Sequence, residues 1–157
     1  MHLPTKMSRL LILIFILPLF IFGQSTFSPT KAELTKGYSQ AIAEYIKAVC
    51  KRDKSGFDTL FFGKHDDFPD IELPATIQNT KIMLLTTEEA DKKREYHKSL
   101  VFINMFGWIT KDKSEFILVT FYPGYLHQFD CLINFNYNVK TKEFELENLQ
   151  FKNYAYK

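Results

Sequence analysis

Two spacings of apolar residues divide the chain. From Leu34 to Val49 they recur every three or four positions, at Leu34, Tyr38, Ala41, Ile42, Tyr45, Ile46 and Val49. That spacing makes one apolar stripe on a helix. Glu33, Lys36, Gln40, Glu44, Lys47 and Lys51 lie off the stripe. Thr30 followed by Glu33 is a capping-box pattern, in which each side chain satisfies a free backbone N–H of the other residue. Pro29 also suits a helix start, and Ser55-Gly56 suits a stop. The pattern predicts an amphipathic helix over about 31–53.

Beyond residue 100 the period drops to two. LVFINMFGWIT (100–110), EFILVTFY (115–122), DCLINFNYNV (130–139) and EFELENLQF (143–151) are separated by KDKS, Pro123-Gly124 and KTK. Strand-like runs joined by short turns predict an antiparallel meander. On 130–139, Cys131, Ile133, Phe135, Tyr137 and Val139 share one face, and Asp130, Asn134, Asn136 and Asn138 share the other. On 143–147, Phe144 and Leu146 oppose three glutamates, and the alternation slips near Asn148, where a bulge fits. The two earlier strands are apolar on both faces. Leu100, Phe102, Phe106 and Trp108 oppose Val101, Ile103, Met105 and Ile109, and Ile117, Val119 and Phe121 oppose Phe116 and Leu118. One helix covers one face only. The second calls for another layer, a curled sheet around a pocket, or a partner subunit.

The middle of the chain is less regular. FDTLFFG (57–63) reads as one helical turn or a short strand, KIMLL (81–85) as a strand, and TEEADKKREYHK as a short surface helix with acids first and bases last. The fold expected is α+β, a long N-terminal helix packed on a curved antiparallel meander of four to five strands.

The first 23 residues stand apart. Lys6 and Arg9 precede the 14-residue apolar run Leu10–Gly23, too short for a bilayer span of about 20 residues. A basic lead, an apolar core and a small residue at its end describe a secretory signal. Cleavage after Gly23 leaves Gln24 first, with an uncleaved anchor as the alternative. Residues 24–157 then form a single domain, exported to the periplasm or beyond, with no stable membrane anchor. No cysteine ends the run, which argues against a lipid anchor. The chain has 20 Lys and Arg against 18 Asp and Glu, and loss of Lys6 and Arg9 evens them at 18 each. Nucleic acid is not an expected partner, since phosphate binding needs a basic surplus or stripe.

A helix followed by an antiparallel meander resembles the cystatin-like and nuclear-transport-factor-2-like α+β groups in element order over roughly 30–151. FDTLFFGKHDDFPDIELP and FYPGYLHQFDC are also similar to small exported bacterial proteins of unassigned function. The nuclear-transport-factor-2-like resemblance implies a cone-shaped sheet able to hold a small ligand, and dimers formed through the sheet. No position matches a catalytic motif of these groups, so no catalytic residue is carried over, and no cofactor is expected.

Four clusters are candidates for chemistry. GKHDDFPDIELP (63–74) gathers His65, Asp66, Asp67, Asp70 and Glu72. These oxygens and one nitrogen suit a cation, but the spacing matches neither an EF-hand nor HExxH. The plainer reading is a solvated loop that Phe68 and Ile71 pin to the core. Cys50 continues the apolar stripe of the helix and Cys131 lies on the apolar face of its strand, either as an export-permitted disulfide or as two buried thiols. His127, Asp130 and Cys131 are close in sequence, yet Asp130 and Cys131 face opposite sides of their strand. Phe102, Phe106, Trp108, Phe121, Tyr122 and Tyr125 line an apolar pocket or pack as core. The function expected is a non-enzymatic exported domain that binds a small apolar ligand or a protein partner, with a homodimer through the sheet. The alternatives are an enzyme using a His/carboxylate pair, with His65 and its neighbouring acids or His127 and Asp130, and a metal-stabilised envelope protein.

Overall fold

A computed structural model of the chain describes residues 27–53, 57–96, 102–121 and 127–155. The expected leader, the expected helix stop at Ser55-Gly56, the expected turn at Pro123-Gly124, and Tyr122 and Tyr125 lie outside the described residues.

Helix α1 runs over Lys31–Asp53. Its capping box is present in full: Thr30 N–H donates to Glu33 Oε2 at 2.8 Å and Glu33 N–H donates to Thr30 Oγ1 at 3.3 Å. The apolar stripe is the buried one, with Tyr38, Ala41, Ile42, Tyr45, Ile46 and Val49 all in the core.

The sheet differs from the expected four-to-five-stranded meander. Among the described residues it is seven-stranded and mixed, in the order β2-β3-β1-β4-β5-β6-β7. Its strands are β1 (Thr59–Lys64), β2 (Thr76–Ile77), β3 (Thr80–Thr86), β4 (Phe102–Ile109), β5 (Lys113–Phe121), β6 (His127–Asn138) and β7 (Glu143–Ala155). The antiparallel run β4–β7 follows sequence order as expected. The added part comes from the stretch that the alternation leaves open. FDTLFFG holds a strand, and β1 pairs in parallel with β3 on one side and β4 on the other. A strand flanked on both sides and covered on both faces needs no polar alternation, which is why its sequence carries so little period-two signal.

Parallel neighbours require a crossover. Helix α2 (Thr87–Tyr96) lies on the connection from β3 to β4, the two strands that flank β1. A second capping box starts this helix, with Thr86 N–H on Glu89 Oε2 at 2.8 Å and Glu89 N–H on Thr86 Oγ1 at 3.3 Å. β2 and β3 form a hairpin whose two turn residues, Gln78 and Asn79, have φ of 51° and 63°. Both positive values fit the right-handed twist of a hairpin.

Alternation sorts the sheet into two faces. The inner face meets α1 through Leu60, Phe62, Ile82, Ile103, Met105, Phe116, Leu118, Ile133 and Phe135, among others. Gly107 lies on this side because Phe116 and Tyr38 fill its side-chain space: an added Cβ would sit 2.6 Å from Phe116 Cδ1. On the outer face, α2 covers one end only, where Leu85, Ala90 and Phe102 form a small second cluster with Phe61 and Met83. The predicted phase slip is a bulge. Asn134 pairs with Asn148 and Phe135 with Leu146, leaving Glu147 as the extra residue. β7 is an edge strand, and α1 shields its start: Lys36 Nζ donates to the Lys142 carbonyl and Gln40 Nε2 to the Phe144 carbonyl, each at 2.8 Å. Occupied carbonyls offer no template to a foreign strand.

Candidate binding face around Trp108

The acidic loop after β1 is held by its apolar residues. Phe68 and Ile71 are buried, while Asp66, Asp67, Asp70 and Glu72 are exposed. This is the pinned, solvated connection read from the sequence. His65 packs against β4 and Phe68. Its Nε2 lies 3.0 Å from the Met105 carbonyl, and its ring stacks on Phe106 at 4.4 Å and meets Phe68 edge-on at 5.9 Å. A carbonyl only accepts, so Nε2 carries the proton. Among the described residues, no group of three or more His, Cys, Asp or Glu side chains is placed to hold a metal ion.

Cys50 is half-buried on α1 and Cys131 is buried on β6, both as thiols. Asp130 is on the outer face of β6, opposite to the side that Cys131 faces. His127 is placed at the start of β6 by its backbone alone.

The six aromatics expected to line a pocket have divergent fates. Phe102 is buried in the second cluster, under α2. Phe106 is half-buried beneath His65. Trp108 is 54% exposed, the most exposed large hydrophobic side chain among the described residues. Phe121 is placed by its backbone in β5, opposite Phe102.

Strand register shows what surrounds Trp108. Trp108 pairs with Glu115, Glu115 with Asn134, and Asn134 with Asn148, so these four form one row across β4, β5, β6 and β7. The next row is Phe106, Ile117, Leu132 and Gln150. Ile117 and Leu132 are half-buried and outside both core clusters. Trp108 stands between two open hollows. One, of about 420 Å³, is lined by Glu115, Asn134, Asn148, Lys113 and Glu147 among others. The other, of about 310 Å³, is lined by Tyr38, Asp67, Phe106 and Gly107. Lys113 Nζ and Glu147 Oε1, 3.8 Å apart, bound the first hollow. A further hollow of about 600 Å³ lies by the β6–β7 turn, with Lys111, Asp112, Asn138, Lys140 and Glu143 on its walls. The first and the third are lined largely by charged and amide groups, the second mainly by aromatic rings with Asp67.

The alternation places Asn134 on the outer face but does not join it to Trp108, Glu115 and Asn148. That juxtaposition depends on the exact turn at Lys111-Asp112, which sets the β4–β5 register. A shift of one residue would turn Glu115 to the other face.

Strongly shifted groups often mark active sites. Here they mark the joint between α1 and the sheet. Glu33 is held down at about 2, chiefly by the Thr30 hydroxyl, then by the Tyr137 hydroxyl and the Thr30 N–H, with Lys142 adding a smaller pull. Tyr137 is pushed up to about 12 by burial and by its bond to Glu33. Burial likewise pushes Tyr38 to about 12, against an opposing hydrogen bond with the Gly107 backbone.

No protein-family model, curated protein or solved structure matches this chain. Among the described residues, no helix is long and apolar enough to cross a membrane.

Proposed function

We propose that this protein is an exported, non-enzymatic binding domain that works through the outer face of β4–β7. The observation that carries the proposal is the exposed Trp108, set in a row of polar side chains on the part of the sheet beyond α2. An exposed indole is costly in water and valuable in an interface. Export rests on the leader pattern of residues 1–23. A small apolar ligand is disfavoured as the occupant, because both hollows beside Trp108 are open and contain carboxylates. An enzymatic reading would need a histidine and a carboxylate converging in a pocket, whereas His65 is engaged with a backbone carbonyl. The resemblance to the cystatin-like and nuclear-transport-factor-2-like groups rests on α1 and β4–β7, with β1–β3 and α2 lying between them in the chain.

Native mass spectrometry of protein expressed with its own leader tests this proposal. The expected result is a chain starting at Gln24 that carries a bound molecule or a second copy, lost in Trp108→Ala. An uncleaved chain overturns export. A complex that Trp108→Ala leaves intact overturns the role of this face.

A further inference from the structure

Resting on the reading of the outer sheet as a binding face, we infer that its occupant is an uncharged glycan, laid across the strands with a sugar ring on Trp108. A pyranose has two kinds of surface. Its C–H face is apolar and suits the negative face of an indole. Its rim carries hydroxyls, each both donor and acceptor. The structure offers both kinds of complement. Trp108 is the single tryptophan of the chain and is half exposed. Beside it, on successive strands, stand a carboxylate and two amides, Glu115, Asn134 and Asn148. Carboxylates accept, and amides both donate and accept. On the other side of the indole, the exposed Asp67 lines the second hollow. The row from Trp108 to Asn148 crosses three inter-strand gaps, about 14 Å, or the length of about three sugar rings.

The same residues argue against other occupants. Glu115, Glu147 and Asp67 would repel phosphates and acidic sugars. Lys113, the cation of the first hollow, lies 3.8 Å from Glu147. Protein interfaces deplete charged residues from their centre, whereas here carboxylates stand beside the aromatic anchor. A face of one exposed indole among amides and carboxylates is suited to a ligand that is polar, neutral and flat.

The test uses soluble hexamers of β-linked glucose, α-linked glucose and N-acetylglucosamine, titrated against protein made with its own leader. Trp108 emission is the readout, because no other tryptophan contributes. At least one hexamer is expected to shift or quench the emission in a saturable way. Calorimetry should then show binding lost in Trp108→Ala and weakened about tenfold in Asn134→Ala, with melting temperatures unchanged. Emission unmoved by every hexamer at about 5 mM overturns the inference, as does binding that survives Trp108→Ala. Failure of the broader reading looks different. Emission that turns blue as protein concentration alone rises would assign the face to a second copy, preserving a binding face while excluding the glycan. Emission insensitive to both would exclude the glycan and self-association through this face.

Discussion

The hydroxyl of Tyr137 on β6 donates to the carboxylate of Glu33, the residue that closes the capping box of α1. One buried carboxylate thus serves two elements: it caps the helix and ties its first turn to the sheet. Tyr137→Phe should cost about 1–3 kcal/mol, since it removes a charged-acceptor bond from a buried group. Thr30→Ala should cost about 1 kcal/mol, the usual value of an N-cap. Urea titration of each variant and of the double mutant checks this. The double mutant should depart from additivity, because both side chains bind the same carboxylate.

That carboxylate also sets an acid limit. Its folded value of about 2 lies below the ordinary 4.5. A depressed acid stabilises the fold above its unfolded value, and that stability is lost as pH falls from about 4.5 through about 2. The loss is on the order of 2–3 kcal/mol. Glu33→Gln should flatten the stability curve across that window, as read by thermal melts from pH 6 to pH 2.

An alkaline limit follows from Tyr38 and Tyr137, both at about 12 against an ordinary 10. Each is held neutral by burial, so folding is favoured below 10 and progressively disfavoured as pH rises through 12. Tyrosinate absorbance of the folded protein should lag behind that of the urea-unfolded chain between these values. Tyr137→Phe should reduce the lag.

Gly107 is required by packing. Gly107→Ala should destabilise by about 1–3 kcal/mol, as overpacking does, because Phe116 is fully buried and its ring lies 2.6 Å from the new Cβ. Gly63→Ala meets only the end of the Asn104 side chain, which can swing aside, so its cost should be smaller. Melting temperatures of the two variants provide the comparison.

The acidic loop should respond to its apolar residues, not to its charges. Phe68→Ala should cost about 3–5 kcal/mol, since Phe68 packs edge-on to both Tyr38 and His65. Asp66→Asn and Asp70→Asn should stay within about 0.5 kcal/mol. Asp70 does face Lys31 at 3.6 Å, but it is almost fully exposed, and such pairs contribute little. Equal sensitivity of the two groups of variants to denaturant would contradict this picture.

Much of this arrangement is legible in the order of residues alone. The helix stripe, the capping box at Thr30, the meander strands and the slip near Asn148 are local, and local periodicity reports them. β1 is ambiguous because six residues covered on both faces show no amphipathic signal. The parallel pairing of β1 with β3 and β4 depends on contacts distant in sequence, which no window of residues contains. The doubly apolar character of β4 and β5 signals a second layer, and α2 supplies part of it. The row Trp108, Glu115, Asn134 and Asn148 is hidden for another reason. Each residue is ordinary in its own strand, and only the register brings them together.

The position of β1 governs the order of assembly. It is the earliest strand of the sheet, yet both of its neighbours are synthesised after it. Phe61 meets Phe102 only once about forty further residues have been made. A nascent chain emerging N-terminus first therefore carries an apolar segment that has no sheet to enter. β4–β5, β5–β6 and β6–β7 pair strands adjacent in sequence, and such local pairings form faster than distant ones. On that rule β1 is expected to enter late, into a slot between strands that follow it in the chain. Until then, FDTLFFG is the stretch that a chaperone would need to cover.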